Sequence, residues 1–92
     1  MEIRTLYSFL CAAREGNITK AAEKLHLSQP ALSRQLAALE DEVGTLLLIR
    51  GKRHLQLTEA GMLLRRRAEE ILALVDKTEK ELLDQSESLS GT

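Results

Sequence analysis

The chain has 92 residues, 43% of them apolar and 29% charged, with one Tyr, one Phe and no Trp; this composition fits an ordinary globular domain with an aliphatic core and excludes disorder over most of the length. A core this small is marginal alone, so support from a second chain is expected. The net charge of −1 excludes nucleic-acid binding by bulk attraction, but residues 1–58 hold eight Lys or Arg against six Asp or Glu and residues 59–92 hold five against eight, so any basic grip lies in the first part and rests on a few placed cations and backbone amides.

Leu6, Phe9, Leu10 and Ala13 share one helical face, which predicts a first helix over residues 3–14. Gly16 and Asn17 interrupt it, and Thr19 offers a cap oxygen for a second helix that ends near Leu25. The small Ala21 and Ala22 let another helix cross it closely. After the short corner His26-Leu27-Ser28, Ser28 caps a third helix that carries Pro30 in its first turn and ends at Gly44. From Ala21 to Leu39 the chain thus reads as a helix-turn-helix, although its corner lacks the usual Gly, and DNA is the partner this pattern points to. Leu32, Leu36, Leu39 and Val43 form the buried stripe of the third helix. Ser33, Pro30 and Arg34 fall on the opposite side, with Gln29 at its flank. Arg can bond guanine in two places, Gln can bond adenine, Ser can bond either, and the Pro ring can touch a thymine methyl. The alternative is a solvated polar face, which the capped start and the basic turn downstream disfavour.

The apolar run Leu46 to Ile49, the turn Arg50-Gly51-Lys52-Arg53-His54 and the alternating Leu55-Gln56-Leu57 predict a β-hairpin. Beside a helix-turn-helix this is a wing, whose Lys52 or Arg53 reaches the minor groove or phosphates. Thr58 caps a fourth helix running to about Leu83, roughly 40 Å at 1.5 Å per residue. Along it Leu64, Ala68, Ile71, Val75, Thr78 and Leu82 alternate by four and three, the seam of a helix that packs lengthwise on another. Pairing with the same helix of a second chain is expected, and packing onto its own domain is the alternative.

Residues 3–83, above all NITKAAEKLHLSQPALSRQLAALEDEVG and the run LTEAG at Leu57 to Gly61, resemble the N-terminal DNA-binding domain and linker helix of LysR-type bacterial transcriptional regulators. The resemblance implies a mainly α, winged helix-turn-helix at 1–58, an antiparallel dimerising linker helix at 59–84, and a hinge at 85–92 leading to an effector-binding domain. It implies sequence-specific binding of double-stranded DNA at an inverted repeat, with helix 29–43 in the major groove and the wing, 50–55, on the minor groove or phosphates. Family base contacts match Gln29, Pro30, Ser33 and Arg34; the wing cation matches Arg53; phosphate positions match Thr19, Ser28, Arg50 and Thr58. The dimer seam is Leu64, Ala68, Ile71, Val75 and Leu82, and a tetramer is allowed for a full-length protein. A small-molecule effector is expected only for the C-terminal domain. The family usually has an aromatic residue at the position of Leu48 and a Pro at that of Leu46.

An enzyme is the competing class, and it lacks parts. Cys11 stands alone, which precludes an internal disulfide; His26 and His54 are the only imidazoles and neither belongs to a metal-spaced cluster; no Gly-rich phosphate loop is present. No cofactor or metal is expected. No export signal or run of membrane-spanning length is apparent, so the expected compartment is the cytoplasm and no membrane is a partner. The closer rival is a protein-interaction module built on a helix-turn-helix, which would show large apolar residues where this chain shows Gln, Ser and Arg.

Overall fold

A computed structural model describes residues 1–51 and 54–90, with side-chain environments through residue 85. The order is α1 (Ile3–Glu15), α2 (Ile18–Leu25), α3 (Gln29–Val43), β1 (Leu48–Arg50), β2 (Leu55–Leu57) and α4 (Glu59–Ser90). Four helices and one antiparallel hairpin make the mainly α, winged helix-turn-helix architecture that the sequence predicts.

Gly16 ends α1 in the left-handed region, φ 66°, with its N–H bonded to the carbonyl of Ala12 at 3.0 Å. The cap of α2 is Asn17 and not Thr19: its Oδ1 accepts from the Lys20 amide at 2.9 Å. Extended backbone at Asn17 aims its side chain over the free N–H groups, which starts the helix before Thr19 and leaves that residue exposed in the first turn. At the corner His26 takes the place of the missing Gly. It adopts φ 58°; its N–H bonds Glu23 O at 3.2 Å and the Leu27 N–H bonds Ala22 O at 2.9 Å, a Schellman closure of α2. Ser28 Oγ then accepts from the Ala31 amide at 3.2 Å, and Gly44, φ 79°, ends α3.

The core lies where α1, α2 and α3 meet. Phe9, Leu32 and Leu36 fill it, and Ala12, Ala21 and Ala22 let the backbones approach. Leu39 belongs to it as expected, but Val43 does not: at the open last turn of α3 it is 37% exposed. Leu47 and Leu48 close the core from the hairpin side.

The hairpin pairs Leu48 with Leu57, Ile49 with Gln56 and Arg50 with Leu55. It is shorter than the apolar run, because Leu46 and Leu47 bond sideways instead of across the ladder. Thr58 Oγ1 donates to Leu46 O at 2.7 Å, and the Thr58 N–H donates to Leu47 O at 3.1 Å. The same Thr58 oxygen accepts from the Gly61 amide at 3.0 Å, capping α4 as predicted.

The fourth helix runs 32 residues, to Ser90, beyond Leu83 and into the segment read as a hinge. After Gly61 in its first turn, no Gly or Pro interrupts it through Ser90, and polar residues alone do not stop a helix already propagating. At roughly 1.5 Å per residue it spans about 48 Å and projects from a molecule 58 Å long and 19 Å thin. Its first turns pack on α1: Ala68 is fully buried and Leu72 nearly so, against Leu6, with Leu64 and Leu10 alongside. For Ala68 the seam reading is therefore corrected, because α1 already covers it, while Leu64 is half-buried against the same helix. Ile71 and Leu82 are exposed and Val75 is half-buried.

Candidate nucleic-acid interface

The first two turns of α3 present Gln29, Pro30 and Arg34 to solvent, with Ser33 half-buried beside them. Pro30 and Arg34 lie on the face opposite Leu32, Leu36 and Leu39, set there by the same 3.6-residue period that builds the core, whereas Gln29, nearer in register to the buried stripe, is exposed at the open start of the helix. Next to it, Gln29 and Ser33 share an open groove of about 340 Å³ with Thr19 from α2 and with Arg50 and His54 from the hairpin. Three segments far apart in sequence meet here because β2 is tied to the α1–α2 corner: the Leu55 N–H donates to Gly16 O at 2.9 Å.

The groove has the electrostatics of an anion site. None of its described lining residues is acidic, and neither α2 nor α3 carries an acid in its first turn, so the positive helix ends there are left uncompensated. Three of the domain's six acids are engaged elsewhere. Glu15 pairs with Lys24 at 3.3 Å and Glu42 with the Met1 amino group at 2.6 Å. Glu40 turns its carboxylate to the base of the wing.

The predicted phosphate residues divide. Thr19 and Arg50 line the groove, and Ser28 is exposed at its cap position, where its oxygen accepts from Ala31 and its proton meets no acceptor among the described residues. Thr58 is different: its single hydroxyl proton is committed to Leu46 O, so its role here is to cap α4 and hold the hairpin base. Lys52 and Arg53, the predicted wing contacts, lie outside the described residues.

Two residues of this region were not singled out from sequence. His54 closes the basic turn and reads there as one more solvated side chain. Glu40 had a signal, since it continues the row Leu32, Leu36 at i+4 and so places an acid on a buried face. Among the described residues no cluster of His, Cys, Asp or Glu could hold a metal, and no helix is long and apolar enough to cross a membrane.

Residues 3–62 match the model of the family described as bacterial regulatory helix-turn-helix protein, lysR family. The chain belongs to the lysR family. This LysR-family chain is 44% identical over 93 residues to the HTH-type transcriptional regulator BsdA of Bacillus subtilis (strain 168), covering all of this chain and 32% of that regulator. It thus spans about a third of the length of that relative. Two DNA-bound crystal structures share the fold of the LysR-family chain at 38% identity. The CbnR DNA-binding domain with DNA has a TM-score of 0.89 over 94% of this chain and 99% of that one. The BenM DNA-binding domain with benA site 1 DNA has 0.90 over 94% and 97%.

Proposed function

We propose that this chain is the reading head of a bacterial transcriptional regulator, binding double-stranded DNA sequence-specifically and catalysing nothing itself. α3 enters the major groove, where Gln29, Pro30, Ser33 and Arg34 meet base edges. Thr19, Ser28 and Arg50 hold phosphates, and the wing, with Lys52 and Arg53 at its tip, lies on the adjacent minor groove or backbone. The observation that carries this reading is the polar start of α3, Gln29 to Arg34, beside a groove that contains Arg50 and no acid among its described residues. Domains of nearly the same backbone crystallised on DNA support it. An interaction module would instead present a large apolar patch on that face.

A homodimer on an inverted repeat completes the proposal, because a two-fold protein pairs with a two-fold site. The exposed Ile71, Leu74 and Leu82 of α4 supply the contact surface between copies. An effector-sensing domain belongs to the remainder of a full-length regulator, in the cytoplasm where the DNA is. Selection from a random duplex library tests the core of this reading: an enriched sequence with two symmetric half-sites is expected. Recovery of no sequence preference, with binding lost uniformly as salt rises, would reduce the chain to a non-specific binder.

A further inference from the structure

The carboxylate of Glu40 joins the reading helix to the wing. One oxygen, Oε2, accepts from the backbone amides of both Leu47 and Leu48, at 2.8 and 3.1 Å. The other, Oε1, lies 3.9 Å from the Arg50 guanidinium. The side chain is only 10% exposed, so the two amides have little water to replace it. Leu48 opens β1, and the β1 and β2 ladder has just three residue pairs, too few to fix the direction of a hairpin by itself. Leu46, just before the clamped amides, is 67% exposed and packs on little.

From this geometry we propose that Glu40 is a positioning residue for DNA recognition: it sets the angle between α3 and the wing, so that both meet one duplex together. The inference rests on the DNA-binding reading. Glu40 acts through Leu47, Leu48 and Arg50 and touches no base. Its Oε1 also holds Arg50, in β1, at the edge of the groove shared with Gln29 and Ser33. The loose 3.9 Å pairing leaves that guanidinium, about half exposed, free to turn to a phosphate.

Because one oxygen serves both amides, Glu40→Gln keeps the clamp, whereas Glu40→Ala removes it and Glu40→Asp withdraws it by one methylene. The 92-residue chain and its selected duplex are probed in two ways: methylation of guanine N7 reads the major groove, and hydroxyl-radical cleavage of sugars reads the minor groove. Glu40→Ala and Glu40→Asp are expected to keep the guanine protection of α3, lose the flanking sugar protection of the wing, and bind roughly tenfold more weakly. Glu40→Gln is expected to retain both protections. A general loss of stability would weaken the two alike. Full flanking protection with Glu40→Asp overturns the proposal, as does its loss with Glu40→Gln. Should circular dichroism show Glu40→Ala unfolded, the Asp and Gln variants decide between them. Wild-type chain that protects neither groove overturns the DNA-binding reading itself, and this inference with it.

Discussion

Gly61 has no side chain because the carbonyl of Leu47 occupies its place: a Cβ built there lies 2.1 Å from that oxygen and 3.2 Å from the Cβ of Leu57. Both obstacles belong to the hairpin, and the first is backbone, so Gly61→Ala must push α4 and the wing apart. A loss of about 1–3 kcal/mol is expected, read as a fall in Tm of roughly 4–8 °C per kcal/mol at fixed protein concentration. A melting curve that superimposes on wild type would mean the two elements do not meet as described. The sequence marks LTEAG as a motif, but the crowding that demands Gly61 comes from residues fourteen positions earlier, beyond the reach of local pattern. Arg34 is the opposite case, legible from the helical period alone because it stands across from Leu32, Leu36 and Leu39. Its exposure leaves the guanidinium free for a base edge, and Arg34→Ala should cost about 1–3 kcal/mol of specific affinity while melting unchanged. Equal titration of the selected duplex by both proteins would remove Arg34 from the reading set.

At the scale of elements, period and capping gave the helix-turn-helix, while competition between neighbouring caps hid its detail. Asn17 and Thr19 both offer a side-chain oxygen within one turn, and which one caps α2 depends on the backbone: Asn17 is extended, and its oxygen reaches the Lys20 amide. The two roles separate by substitution. Asn17→Ala should cost about 1 kcal/mol of folding stability, measured by urea unfolding. Thr19→Ala should leave stability within about 0.5 kcal/mol but weaken DNA binding across sequences, as the loss of a phosphate contact does. Equal unfolding midpoints for Asn17→Ala and wild type would return the cap to another residue. The wing was legible as two apolar runs around a basic turn; its short ladder was not, since Glu40 and Thr58 capture the backbone groups of Leu46, Leu47 and Leu48 from outside the hairpin.

For the whole molecule, the apolar stripe of α4 is covered by its own domain over its first part only. The spacing of Leu64, Ala68, Ile71, Val75 and Leu82 suggested one continuous seam, but the pattern of a stripe does not say what covers it. α1 covers the first part and draws in Leu72, one residue away from Ile71; the rest projects past the domain, where Leu74 and Leu82 are 62% and 61% exposed. Charge at the two ends should therefore have different consequences. Ala68→Asp buries a carboxylate between α1 and α4, where Leu6 and Leu72 offer it no partner, and should destabilise the chain by several kcal/mol. Leu82→Asp meets solvent in a single copy, so its domain should keep its far-UV spectrum and shift toward monomer in sedimentation equilibrium, with half-site binding surviving and cooperative binding to the inverted repeat lost. The comparison must be made at matched concentration, since a dimer adds stability by mass action and a weaker one would also melt earlier. A Leu82→Asp chain that sediments as the same dimer would move the interface off this stripe and onto the domain itself.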